Sequence, residues 1–258
     1  MEKRTRRGLA AIKKYVRNLA FMSPRDIGLF LRSARTDVAI ARMRGVADDE
    51  TAFNEAYASG DPWASGEKRY FYQRHKYHVL AALLPSSRRF GRALDIGAGL
   101  GLLARRIAER ADQVVGLDIS QNAVDTARAL HSDISHLHFE QGDMRAIPVS
   151  HNGSFDLILL VDTIYYLPQP IGDETLKALA LRFSALLAPG GLCLLANHFF
   201  FSADQDSRLS RRIHRAFAWS PGFQVVSEHR RPFYLISLLN GADGIEGSAL
   251  GRPDACRS

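Results

Sequence analysis

A glycine-rich run and three spaced carboxylates carry the first chemical information in this chain of 258 residues. The run is Leu94-Asp95-Ile96-Gly97-Ala98-Gly99-Leu100-Gly101. Glycines permit positive φ and let a ligand approach the backbone closely. A helix that starts beside them offers unpaired N–H groups and a positive dipole end. Asp118 follows Gly97 by 21 positions, a spacing from which a carboxylate accepts both hydroxyls of a ribose. A dinucleotide loop would place its third glycine at position 102, where Leu102 stands; here it is Gly101. Asp95, just ahead of the loop, would repel a pyrophosphate and welcome an ammonium. Both departures favour a ligand with a ribose and a positive amine but no phosphate, as in S-adenosylmethionine. The plain alternatives are a tight strand–helix turn for the glycines, a helix cap for Asp118 and a turn former for Asp143.

Further candidates stand after two later apolar runs. Asp162 and His198 each follow such a run, so both are expected in one cleft. Either could orient or deprotonate a nucleophile, and an imidazole suits proton transfer near neutrality. Tyr165 and Tyr166 offer aromatic faces that favour a sulfonium or an amine. A backbone-bonded histidine and core tyrosines are the structural alternatives. Tyr72, Arg74, His75 and Tyr77 precede the glycine run on a predicted helix, where Arg74 could grip a carboxylate bidentately. Trp63 reads as a lid anchor or a hydrophobic plug, and Cys193 as a small buried hydrophobe.

The elements that must position these residues alternate. Strands are predicted at 93–96, 113–118, 137–140, 155–161, 192–196, 224–229 and 233–239. Helices are predicted at 102–111, after Ser120, at 173–187 and at 203–217. This alternation implies an α/β fold, a doubly wound, Rossmann-like seven-stranded sheet with helices on both faces. The final strand pair lacks room for a crossover, so the last strand is expected antiparallel.

Residues 1–45 hold twelve Lys and Arg against Glu2, Asp26 and Asp37, a balance of +9 that leaves −2 for the rest of a +7 chain. The basicity therefore belongs to a head. Leu9, Ile12, Val16, Leu19 and Ala20 recur there at helical spacing. The organisation read from this is a basic helical extension over 1–60, a domain over 61–240 and a loose tail over 241–258. The head could pack on its own domain or contact an anionic membrane or nucleic acid. Cys193 and Cys256 cannot form a disulfide framework or a four-ligand zinc cluster, and no metal site is expected. They fit a reducing compartment, and a cytoplasmic location is expected.

With these residues in order, the stretch from Asp61 to Leu239 resembles the class I S-adenosylmethionine-dependent methyltransferases. The matching pieces are Leu94–Gly101, Val115-Gly-Leu-Asp118-Ile119-Ser120, Gly142-Asp143-Met144, Phe155-Asp156-Leu-Ile and Leu187-Ala-Pro-Gly-Gly191. The resemblance implies S-adenosylmethionine as cofactor, with Gly97, Ala98, Gly99 and Gly101 beneath its methionine part. It further implies Asp118 at the ribose, Ile119 and Met144 beside the adenine, Asp143 at the adenine amino group and Asp95 at the ammonium. Arg74 is expected at the cofactor carboxylate and Asp162 at the edge of the same site; His198, Asp162 and Tyr165 are the catalytic candidates.

A narrower resemblance is to the nodulation protein S-like branch, which N-methylates an amino sugar. It rests on Asp61-Pro62-Trp63, Arg74-His75-Lys76-Tyr77, Leu83-Leu84-Pro85, Tyr165-Tyr166-Leu167 and residues 230–239. It implies a small-molecule acceptor, a sugar or glycoconjugate, and no nucleic-acid partner. Peripheral membrane contact through residues 1–45 stays open. Asp162-Thr163-Ile164-Tyr165 stands where base and protein-glutamine methyltransferases carry another tetrad. The alternatives are a nicotinamide-dependent oxidoreductase, or a nucleic-acid- or membrane-binding module acting through the basic head.

Overall fold

The computed structural model describes residues 26–68, 70–199, 204–231 and 233–242. The amphipathic stretch at 9–20 and the tail beyond residue 242 lie outside them. Numbering starts at the first described helix. Three helices precede the sheet: α1 (Asp26–Met43), α2 (Asp49–Ala58) and α3 (Phe71–Leu83). There follow β1 (Phe90–Ile96), α4 (Leu102–Ala108), β2 (Ala111–Asp118), α5 (Gln121–Leu130), β3 (Leu137–Gln141) and β4 (Phe155–Val161). The chain continues through α6 (Asp173–Leu186), β5 (Leu187–His198), α7 (Gln205–Ala218), β6 (Phe223–Arg231) and β7 (Tyr234–Gly241).

The seven strands lie in the order β3-β2-β1-β4-β5-β7-β6. Strands β1 to β5 pair in parallel, and β7 runs against both of its neighbours. Only residues 232 and 233 separate β6 from β7, too few for a crossover. Alternate residues of β4 feed opposite cores. Leu157 and Leu159 join the cluster that holds Leu80, Ile107 and Val124, whereas Ile158 and Leu160 join Phe183, Ile213 and Phe217. A strand apolar on both faces is thus buried between two helical layers. The order reverses between β1 and β4, and the crevice at such a switch point is where open α/β sheets bind ligands.

Boundaries differ from the sequence reading at several element ends. The first predicted helix was extended to Ala111, but α4 ends at Ala108, because Ala111 pairs with Phe90 as the fully buried start of β2. Strand β5 begins at Leu187 rather than Leu192, taking in the Pro189-Gly190-Gly191 turn with a register shift against β4. Residues 26–60 belong to the stretch read as a basic helical extension that could pack on its own domain. They form α1 and α2, which pack over the carboxyl ends of the strands and line the cavity there. Among the described residues no helix is long and apolar enough to cross a membrane.

Local chemistry fixes the roof. Asp48 caps α2 by accepting from the Thr51 amide at 2.8 Å. Asn54 on α2 accepts from the Ser120 hydroxyl at 2.9 Å, while the Ser120 hydroxyl caps α5 by accepting from the Ala123 amide. Arg32 on α1 binds the Glu67 carboxylate at 2.5 Å and the Asp61 carbonyl at 2.6 Å. Thr36 donates to the Pro62 carbonyl at 2.8 Å.

Candidate functional site

A cavity of about 390 Å³ lies between the roof and the sheet. Its deep end is built by the glycine loop. Gly97, Gly99 and Gly101 all have positive φ, at 74°, 52° and 70°. At Gly97 an added Cβ would collide with Thr163, whose hydroxyl donates to the Ile96 carbonyl at 2.8 Å. The amides of Gly97 and Ala98 both donate to the Leu117 carbonyl, at 2.7 and 3.0 Å.

The Asp118 carboxylate continues this lacing. Its Oδ2 accepts from the Gly99 amide at 2.7 Å and its Oδ1 from the Ser120 amide at 3.0 Å. Burial raises this carboxyl above the ordinary carboxylate range despite those bonds. Asp95 is 3% exposed. Burial first, and the neighbouring Asp118 second, push its carboxyl up to about 7, opposed by a backbone hydrogen bond from Ala104. Two carboxylates pressed together in a low-dielectric wall favour a cationic occupant. Ile119, Asp143 and Met144 line the same end. Burial acts to raise Asp143, but the bonds and charge of Arg145 hold it below the usual value. Arg145 also reaches Asp49, which pairs with Arg44 at 2.8 Å.

The other end is assembled from distant segments. Asp162, at φ 52°, closes β4. Its Oδ1 accepts from the His198 amide at 3.0 Å, and its Oδ2 pairs with the Lys76 ammonium. The Lys76 side chain is 3% exposed, and burial pulls its ammonium down to about 7. The His198 ring meets Tyr165 edge-on, with centroids 4.4 Å apart, and its Nε2 lies 3.8 Å from an Asp206 oxygen. Tyr166 donates to Asp37 on α1 at 2.7 Å, and the Trp63 indole donates to the same oxygen at 3.3 Å. Phe53, Trp63, Tyr165 and Tyr166 form a continuous aromatic wall.

Residues 93–191 match a family model described as a methyltransferase domain. The matched stretch, less than half of the chain, resembles the class I S-adenosylmethionine-dependent methyltransferases. It is 25% identical to nodulation protein S of Rhizobium tropici over 168 residues, 65% of each chain. It is 31% identical to a ubiquinone biosynthesis O-methyltransferase of Psychrobacter cryohalolentis over 111 residues, 41% of this chain and 40% of that one. The chain thus spans less than two thirds of the length of these relatives. The fold matches that of N-methyltransferase NodS from Bradyrhizobium japonicum, solved with S-adenosyl-L-homocysteine, at a TM-score of 0.63 and 18% identity. That match covers 76% of this chain and all of the other. S-adenosylmethionine is the cofactor of this methyltransferase class.

Most of the residues singled out in the sequence come together in the methyltransferase cavity. Asp95, Gly97, Ala98, Gly99, Asp118, Ile119, Asp143, Met144, Asp162, Tyr165 and His198 all line it. Gly101 and Arg74 do not. Gly101 precedes the first turn of α4, and an added Cβ would strike the Phe139 ring, so packing demands that glycine. Arg74 lies on the exposed face of α3, bonded to the Tyr70 carbonyl at 3.4 Å. Lys76, two residues on, is the buried cation instead. The signal for Lys76 was present: it stands four residues after Tyr72 and four before Leu80, and all three are buried. Asp37 and Asp206 had no comparable signal, because each gains its place only through the fold.

Proposed function

We propose that this methyltransferase acts on an amine or hydroxyl of a small molecule, and that its acceptor is a sugar or glycoconjugate methylated at nitrogen. One observation carries this reading. A buried carboxylate pair suited to a ribose and an ammonium shares a cavity with a histidine, a carboxylate and an aromatic wall. The residues present fit the cofactor. Asp118 would hold the ribose hydroxyls, Gly97 to Gly99 would underlie the methionine part, and Ile119, Asp143 and Met144 would surround the adenine. Asp95 would face the ammonium, whose charge offsets the cost of ionising a buried carboxyl. When bound, S-adenosylmethionine supplies an electrophilic methyl group on a sulfonium.

The chain's own task is then alignment and proton handling. Holding two reactants at near-attack distance supplies of order 7–11 kcal/mol of barrier lowering. Asp162 fixes the end of β5 through the His198 amide, which points the imidazole toward the acceptor end. His198 would accept the proton released by the acceptor, and Asp206 beside it would stabilise the imidazolium. An amine attacking in neutral form needs at most a weak base, whereas a hydroxyl needs a strong one. The similarity to O-methyltransferases keeps the second case in view.

Replacing His198 by Ala separates them, with labelled S-adenosylmethionine and a panel of amino and neutral sugars as substrates. For an amine acceptor, turnover should fall by less than about tenfold. For a hydroxyl acceptor, it should fall about 10²-fold or more with cofactor affinity intact. If calorimetry detects no S-adenosylhomocysteine binding by the folded wild-type protein, the reading is wrong.

A further inference from the structure

Asp37 sits on α1, ahead of every segment that matches the family's motifs, yet it lines the acceptor end of the cavity. Its two oxygens are treated unequally. The Tyr166 hydroxyl and the Trp63 indole both donate to Oδ1. Burial raises the Tyr166 phenol well above its ordinary value, so this hydroxyl remains a donor. Among the described residues no group donates to Oδ2 and no Lys or Arg pairs with Asp37, while Oδ2 is not sealed from solvent. A latch holding α1 in place needs only the first oxygen.

The surroundings favour a cation at the second. Burial raises the Asp37 carboxyl, its two donors and His198 act to lower it, and the Asp206 carboxylate acts with burial. Lys76, the one buried ammonium lining the cavity among the described residues, is already engaged by Asp162. Tyr165, Tyr166 and Trp63 add aromatic faces, whose quadrupoles attract positive charge. A neutral acceptor would add no charge to offset the partial burial of this carboxylate beyond what its two donors and His198 supply.

We propose that Asp37 is a specificity-determining residue whose open carboxylate oxygen receives the N–H of a positively charged amino group on the acceptor. The proposal rests on the methyltransferase reading above and adds to it a residue from the N-terminal roof. The bound ammonium marks the recognition state; methyl transfer requires loss of one proton from that nitrogen to solvent, after which the neutral amine attacks.

The test uses the full-length protein saturated with S-adenosylhomocysteine, and two probes, glucosamine and glucose, which differ by an ammonium and a hydroxyl at one carbon. Binding is read by saturation-transfer NMR and calorimetry. The wild type should prefer glucosamine by about tenfold or more, the range of a charge-assisted hydrogen bond. In Asp37→Asn the preference should shrink to within about threefold, while affinity for S-adenosylhomocysteine changes by less than about twofold; Asp37→Glu should keep part of the preference. Equal binding of the two sugars by the wild type, or binding of neither, overturns the proposal. So does an undiminished preference in Asp37→Asn. A matching loss of S-adenosylhomocysteine affinity in that variant also overturns it, by making Asp37 a strut of the roof. Failure of the wild type to bind S-adenosylhomocysteine at all strikes instead at the methyltransferase reading.

Discussion

The two ends of the cavity are built in opposite ways. The cofactor end is made by short loops at the ends of β1, β2 and β3, tied by backbone amides to Leu117 and Asp118. The acceptor end is made by side chains from α1, α3, the turn after β4, the end of β5 and the start of α7. One end is encoded locally, with donors and acceptors fixed by chain geometry. The other is encoded by packing, and its specificity can change with one side chain while the scaffold stays. On the proposed assignment of the two ends, the contrast would let one cofactor site serve different acceptors.

The largest expected effect tests the rigidity of the cofactor end. Gly101→Ala forces a Cβ into the Phe139 ring at φ 70°. Strain and overpacking together should cost about 4 kcal/mol of stability, measured by urea unfolding. A loss below about 1 kcal/mol would mean that the loop yields, and the contrast between the ends would weaken.

Next is the Lys76–Asp162 pair, where both ends meet. Lys76→Met leaves Asp162, 26% exposed in its side chain, without its ammonium. Removing one partner of such a pair should cost about 3 kcal/mol. Lys76→Arg should cost less if charge, rather than shape, is what Asp162 needs.

The third prediction concerns pH. The Asp95 carboxyl is raised from 3.8 to about 7 in the folded chain. Between those values the folded state holds a proton that the unfolded chain has released. Stability of the ligand-free protein should therefore be full below about pH 4 as far as this group is concerned, and should be lost as pH rises toward 7. The change is of order 4 kcal/mol. Asp118 contributes with the same sign. Asp95→Asn should flatten the slope of unfolding free energy between about pH 4 and pH 7, and an unchanged slope would refute this burial account.

The last two predictions are smaller. Tyr166→Phe removes one donor to Asp37 and should cost about 1 kcal/mol of stability, with cofactor affinity unchanged. Arg74→Ala should shift cofactor affinity and stability by less than about 0.5 kcal/mol, because the side chain lies on the exposed face of α3.

Arg74 and Lys76 also show where legibility ended. Both stand on the helix that the sequence placed ahead of the sheet, and the resemblance pointed to that helix. Two residues correspond to about 200° around a helix, so choosing between them meant choosing a face. The 72–76–80 stripe identified that face, but a lysine inside it reads as a solvated charge until its carboxylate partner is known. The glycine loop, Asp118 and the strand–helix alternation were legible because each depends on neighbours close in sequence. Asp118 needs Gly99 and Ser120, at most 19 positions away. The acceptor end needs Lys76 with Asp162 and Asp37 with Tyr166, 86 and 129 positions apart. No spacing rule spans such separations. Residues 26–60 were read by their charge as a head that could pack on its own domain; which of its side chains line the cavity was not legible.

Those separations have a kinetic consequence. Arg44 bonds to the Tyr166 carbonyl 122 positions later, and Asp37 waits for the hydroxyl of the same residue. During synthesis α1 leaves the ribosome before β1, β4 or the turn that follows β4 exists. It cannot complete its contacts until well over half the chain has emerged, and closing such long loops is slow. The helix that carries Asp37 is therefore among the last elements able to settle, and until then its apolar face is a target for chaperones and proteases.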